Sequence, residues 1–297
     1  MKAFFALIHR EFIEHRGAFL IAPLVLVGVV FALTLLAFSV DRLDTRFSGQ
    51  MLSVVPTWVF EAGFAGLSAA WLAYLGFVLF FYCADGFAAD KRNNAMLFWK
   101  SMPVSDLRIL LSKLAAALTI LPGAILAVAL ISILLMFGVA YVTTMFSGLG
   151  NAGLFGAIVS VYGQMALVLV VVMVCGLLWY LPYMALIGGL ATAMGRWAIP
   201  VALVLPALVS TLEWVTLGGL HPFATRTWDY LSYRSTFPLI EDGYVDAWFV
   251  GSESFNALAY ATDLVSLVDW TQVGIGVVFS LVMIYLGSEY RRRSNDN

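Results

Sequence analysis

From Leu114 to Gly195 the chain carries no charged residue. A water-soluble fold keeps polar groups on the outward faces of its helices and strands, and a stretch this long without them has nowhere to be enclosed in 297 residues. Its solvent is lipid. Composition points the same way: 62% of the residues are hydrophobic, 11% are charged and the mean hydropathy is +0.94, well outside the range of soluble domains. Crossing ~30 Å of hydrocarbon takes ~20 apolar residues as a helix, so the run suits two helices joined by the polar turn from Thr143 to Asn151.

Uncharged windows elsewhere complete the set. The expected spans are 17–40, 62–84, 114–140, 160–190, 198–218 and 271–288, with Glu213 interrupting the fifth. The fold class is therefore an all-α integral membrane protein, one transmembrane domain over 1–297 with six helices and both termini on one side. Twelve of the sixteen Lys and Arg residues fall on that side, and only Arg42, Arg46, Arg226 and Arg234 fall on the other. Basic loops stay inside, which makes the termini and the 85–113 segment cytoplasmic.

Residues 1–16 contain Glu11 and Glu14, which argues against a signal peptide despite the small-residue site Ala37-Phe38-Ser39. Phe4, Leu7, Ile8 and Phe12 recur at helical spacing, so this segment reads as a helix lying on the inner membrane surface or as a cytoplasmic extension of the first span. Cys83 and Cys175 are the two cysteines; they sit at different depths and read as packing residues. Between spans five and six, residues 219–270 are acidic and aromatic, with Asp229, Glu241, Asp242, Asp246, Glu253, Asp263 and Asp269 against Arg226 and Arg234. This region is an outer gate or a static cap, with a helix beginning near Ser252 whose stripe is Phe255, Leu258, Ala259, Thr262 and Val265.

The 85–113 segment concentrates charge in a chain that has little: Asp85, Asp90, Lys91, Arg92, Lys100, Asp106, Arg108 and Lys113. Pro103 restricts the residue before it, Ser105 is placed to cap a new helix, and Asp106 complements that helix's positive end. The run from Ala89 to Ser105, with the Met102-Pro103-Val104-Ser105 turn and Lys113 at the entry of the third span, resembles the inner loop of ABC-2 type transporter permeases. Met102 stands where that family usually has leucine, and Asn94 where glycine is common. The resemblance implies that a short helix before Pro103 is a coupling helix, with Asp90, Lys91, Arg92, Phe98, Trp99, Lys100, Met102, Pro103, Val104, Ser105, Asp106 and Lys113 as the ATPase-coupling residues.

It further implies two copies of a cytosolic ATP-binding subunit as partners, a second permease copy as homodimer or heterodimer, a lipid surround, and the cytoplasmic membrane of a bacterium. ATP and Mg belong to the partner subunit. This chain has no G-x-x-x-x-G-K-[ST] phosphate loop, so it is read as no enzyme, with no cofactor or metal of its own and no nucleic-acid partner.

Glu213 and Glu61 are the candidate pathway or gate residues, because a carboxylate in the apolar layer costs ~2.5–3.5 kcal/mol and has to face protein or water. The small residues Ala62, Gly66, Ala70 and Ala73 permit a close helix approach in span two. Pro23, Pro122, Pro182, Pro200 and Pro206 interrupt the spans. The competing readings are a membrane assembly protein without transport and an intramembrane enzyme. Against the enzyme, His9, His15 and His221 are the only histidines, and no H-E-x-x-H or G-x-S-x-G is present.

Overall fold

A computed structural model describes residues 2–39, 57–92, 104–146, 153–218, 221–238 and 255–294. The described elements are all helical, with no strand among them. Helix α1 (Lys2–Arg16) passes through a π-helical turn (Gly17–Ile21) into α2 (Ala22–Ser39), with helical dihedrals at both junctions. In the π pattern the Ala22 N–H reaches back to the Gly17 carbonyl; Pro23 has no N–H with which to do the same for Ala18. The Tyr74 hydroxyl fills that role, donating to the Ala18 carbonyl at 2.7 Å.

Helix α3 (Thr57–Arg92) continues past the apolar window, so Asp85 to Arg92 are helical. Helix α4 (Asp106–Leu118) meets α5 (Ile120–Phe146) at a break at Thr119, whose φ and ψ are −125° and −81°. Pro122 explains the position, because its ring crowds the carbonyl four residues earlier and offers it no donor. Pro182 and Pro206, by contrast, lie within unbroken helices.

Helix α6 (Leu154–Met194) leads through a tight turn (Gly195–Trp197) into α7 (Ala198–Leu217). Together they form one apolar stretch of 64 residues, which includes the expected spans four and five. At ~1.5 Å per residue a straight rod of that length would far exceed a bilayer. Gly195, at φ 58°, takes a backbone conformation that L side chains avoid, and the chain reverses there. The reversal is visible in α8 (Arg226–Ser235): Trp179 of α6 holds its last turn, while Ser210 and Glu213 of α7 hold its entry.

Helices α9 (Ala257–Leu267) and α10 (Trp270–Ser294) complete the order. The cap of α9 is Asn256, whose side chain accepts from the Leu258 and Ala259 amides at 3.1 Å, so the helix starts later than Ser252. Its buried face is also not the expected stripe: Ala257, Ala261 and Leu264 face inward, while Leu258 and Val265 are exposed.

Helix α6 is the axis of the molecule. Helix α3 packs along it from the Phe64–Tyr162 ring contact to Gly188, where an added Cβ would lie 3.0 Å from the Phe87 ring. Helix α9 begins beside Gly163 and Leu167, the chain between α9 and α10 packs at Cys175 and Trp179, and α10 then follows α6 past Gly189 to Thr192. Helices α9 and α10 are thus two pieces of one interrupted rod lying along α6. Both cysteines are buried and free.

Among the described residues five helical stretches are long and apolar enough to cross a membrane: Ala3–Ala37, Phe60–Ala89, Asp106–Thr143, Leu154–Leu217 and Trp270–Arg293. Their outward faces carry large apolar side chains, such as Leu33, Leu203, Val215 and Val278, as helices in lipid do. The chain has the build of a multi-pass membrane protein.

Candidate functional site

The sequence placed its main site around the 85–113 segment. Asp90, Lys91 and Arg92 lie in the last turn of α3, while Phe98, Trp99, Lys100, Met102 and Pro103 lie outside the described residues. Val104 and Ser105 lead into α4. Ser105 occupies the N-cap position with extended dihedrals, but its side chain makes no cap bond; its carbonyl accepts from the Arg108 and Ile109 amides.

Lys113 is in the interior of α4 and is 2% exposed, and Glu11 of α1 is 3% exposed. Lys113 Nζ donates to Glu11 Oε1 at 2.9 Å. The Tyr82 hydroxyl of α3 lies 3.1 Å from Glu11 Oε2 and 3.2 Å from the Lys113 carbonyl. His15 stands over Tyr82 with ring centroids 4.7 Å apart, its Nδ1 4.0 Å from Glu11 Oε2. Two opposite charges removed from water together keep their mutual attraction and avoid most of the penalty either would meet alone. Three helices, α1, α3 and α4, are pinned at one point.

A second ion pair joins α4 to the other end of the chain. Asp106 Oδ1 lies 3.0 Å from Arg291 Nε of α10, and Arg291 is 4% exposed. Asp106 therefore serves two purposes: it complements the positive end of α4 and anchors the last helix. The first and last helices of the chain both attach to the short helix that follows the charged segment.

The other candidates stand elsewhere. Glu61 is buried near the start of α3 at 7% exposure. Glu213 is half-buried on α7 and accepts from the Arg226 amide through Oε1 at 3.2 Å and from the Thr227 amide through Oε2 at 3.0 Å. It closes the N-terminal end of α8 with a carboxylate, the charge that end favours. Ser210 hydrogen-bonds the Pro222 carbonyl and sits 2.6 Å from the Thr225 hydroxyl, so the same joint is fastened twice.

Arg234, at the C-terminal end of α8, is 2% exposed. Its guanidinium carbon sits 4.1 Å from the Trp179 ring centroid, and Trp179 Nε1 donates to the Arg234 carbonyl at 3.0 Å. Among the described residues neither Nη1 nor Nη2 has a hydrogen-bond partner, and the aromatic face offsets part of the cost of the buried charge. Arg234→Met is expected to keep or raise thermal stability, because it removes the unpaired donors and keeps the length. Arg234→Ala should lower it by ~2 kcal/mol or more through lost packing. Attack of a thiol-reactive fluorophore on the buried cysteines during heating reads both; a methionine variant less stable than the alanine one would contradict the assignment.

Sequence reasoning singled out Lys113 but not its partner Glu11, nor Tyr82 and Arg291. In the sequence Glu11 is one of two acids in a segment of mixed charge, and only Lys113, at the border of a long uncharged run, stands out. Among the described residues no group of three or more His, Cys, Asp and Glu gathers as a metal site would require. No protein-family model, curated protein or solved structure matches the chain.

Proposed function

We propose that this chain is the membrane-spanning permease subunit of an ATP-binding cassette exporter. In this reading it crosses a bacterial cytoplasmic membrane six times, the α6–α7 stretch supplying two crossings, with both termini in the cytoplasm. Two copies associate with two ATPase subunits, which bind ATP and Mg. The observation that carries the reading is the pair of ion pairs on α4. A push on the 90–105 segment moves α4, and α4 is fastened to α1 through Lys113 and to α10 through Asp106. The break at Thr119 lets α4 tilt without bending α5. Such an arrangement turns a displacement outside the membrane into a change of helix packing inside it.

The test uses tagged full-length chain extracted from its native membrane in mild detergent. A P-loop ATPase subunit is expected to co-purify, with nucleotide hydrolysis by the complex. Reversing the charges of Asp90, Lys91, Arg92 and Lys100 should release that subunit while the chain itself stays monodisperse. A preparation with no nucleotide-binding partner, or a reversed variant that keeps full hydrolysis, removes the proposal and leaves an assembly protein or membrane enzyme in its place.

A further inference from the structure

Helices α2, α3 and α5 line a half-open cavity of about 520 Å³, within the ~300–1,000 Å³ range of ligand sites. One wall is Leu26, Val27, Val30 and Phe31 of α2; Leu67, Ala70, Trp71 and Tyr74 of α3 face it, and Met136 and Val139 of α5 close the third side. Among the described residues that line it, none is charged. Every side-chain hydroxyl or indole N–H in the lining is already engaged. Trp71 Nε1 donates to Ser132 Oγ at 2.9 Å, and Ser132 donates in turn to the Ala129 carbonyl at 2.8 Å. Tyr74 is spent on the Ala18 carbonyl, and Thr34 donates to the Val30 carbonyl at 2.9 Å.

A lining whose donors are already paired offers no N–H or O–H to an anion, a sugar or a peptide carbonyl, each of which would lose hydration with little returned. Hydrocarbon loses nothing there. The walls are also fixed: Trp71, 6% exposed, is held by its bond to α5, and Tyr74 by its bond to the π-turn. Leu26 and Val30 on the rim are exposed, so a chain can enter past α2.

We propose that this cavity is a binding site for one hydrocarbon chain, contributed by a membrane lipid or by a free long-chain amphiphile. The inference is independent of the transport reading, since it rests on the lining alone.

The experiment uses full-length protein in nanodiscs of phosphatidylcholine and a diazirine-bearing long-chain fatty acid, followed by mapping of the labelled peptides. A second arm presents the same diazirine chain esterified in phosphatidylcholine. Saturable labelling of the α2, α3 and α5 walls is expected, competed by unlabelled oleate. Ala70→Phe and Ala140→Phe, which fill the cavity from two different walls, should each weaken wall labelling about tenfold. Leu208→Phe, on the exposed face of α7, should leave it unchanged. Saturation by the free acid alone identifies a free amphiphile, and saturation by the esterified chain identifies a lipid. Labelling in both arms that never saturates, or that spreads equally over α7 residues such as Leu203 and Val215, overturns the site. So does wall labelling that survives both phenylalanine variants.

Discussion

Lys113→Met is expected to destabilise the protein by ~3–5 kcal/mol, the cost of stranding one member of a buried ion pair. The Glu11 carboxylate would remain in an enclosed position with its cation gone, and the tie between α1 and α4 would go with it. The double variant Glu11→Leu with Lys113→Met should recover most of the loss, because removing both charges also removes the cost of burying either. Tyr82→Phe should cost ~1–3 kcal/mol, since Glu11 Oε2 then loses its nearest hydroxyl donor. Cys83 and Cys175 are buried and free, so the temperature at which a thiol-reactive fluorophore labels them reads all three variants. Recovery in the double variant separates a buried pair from a lysine that merely fills space: a purely packing role predicts additive losses. If the proposed function is right, the double variant also folds well yet couples poorly, since the ion pair that ties α1 to α4 would be gone.

That contrast shows where the sequence speaks and where it is silent. The apolar windows are legible because a bilayer demands length and absence of charge, and both are counted along the chain. Lys113 was legible as well, since a lysine bordering a long uncharged run stands out. Its partner was not, because Glu11 lies 102 residues away in a helix of mixed charge that reads as a surface. No local periodicity encodes a pairing between distant helices. Arg234 likewise reads as one cation of an acidic loop, and only the docking of α8 on Trp179 buries it.

Helix α9 failed for a different reason. In water the apolar stripe of a helix marks the protein side, but in lipid the larger apolar residues are equally comfortable facing outward, and close helix contacts favour small ones. Ala257 and Ala261 accordingly face α6 while Leu258 stays exposed. The same rule accounts for the small-residue face of α3, where Ala70 lines the hydrocarbon cavity and an added Cβ at Gly66 would meet nothing within 4 Å. Small size permits close approach without requiring it. Among the prolines, Pro122 coincides with a break and Pro23 with a π-turn, and each time the missing N–H explains the departure; Pro182 and Pro206 show that a proline need not end a helix.

Gly276→Leu is expected to be the most damaging single substitution on α10. A Cβ built at Gly276 lies 2.7 Å from Pro182 Cγ and 2.7 Å from Arg234 Nη2, closer than side-chain carbons approach. The guanidinium is the end of a flexible chain and can swing aside, but the Pro182 ring is fixed to α6, so α10 itself has to retreat. Overpacking of this kind costs ~1–3 kcal/mol for a single carbon, which sets the expectation for Gly276→Ala, and leucine adds bulk that the seam cannot absorb. Gly274, two positions earlier, supplies the control: nothing lies within 4 Å of its built Cβ, so Gly274→Ala should be neutral or gain up to ~1 kcal/mol from helix propensity. Pro182→Ala placed in the Gly276→Ala chain should restore part of the stability by removing the rigid contact, whereas Arg234→Ala in that background should restore little. Thermal labelling of the buried cysteines orders these variants. Equal losses at Gly274 and Gly276 would mean that backbone entropy rather than the α6–α10 approach sets the cost. The seam also reaches the far end of the helix, because Arg291 holds Asp106 from the same α10. A retreat at Gly276 pulls on that ion pair, so under the proposed function Gly276→Ala should lower nucleotide hydrolysis by the assembled complex at temperatures where the chain is still folded.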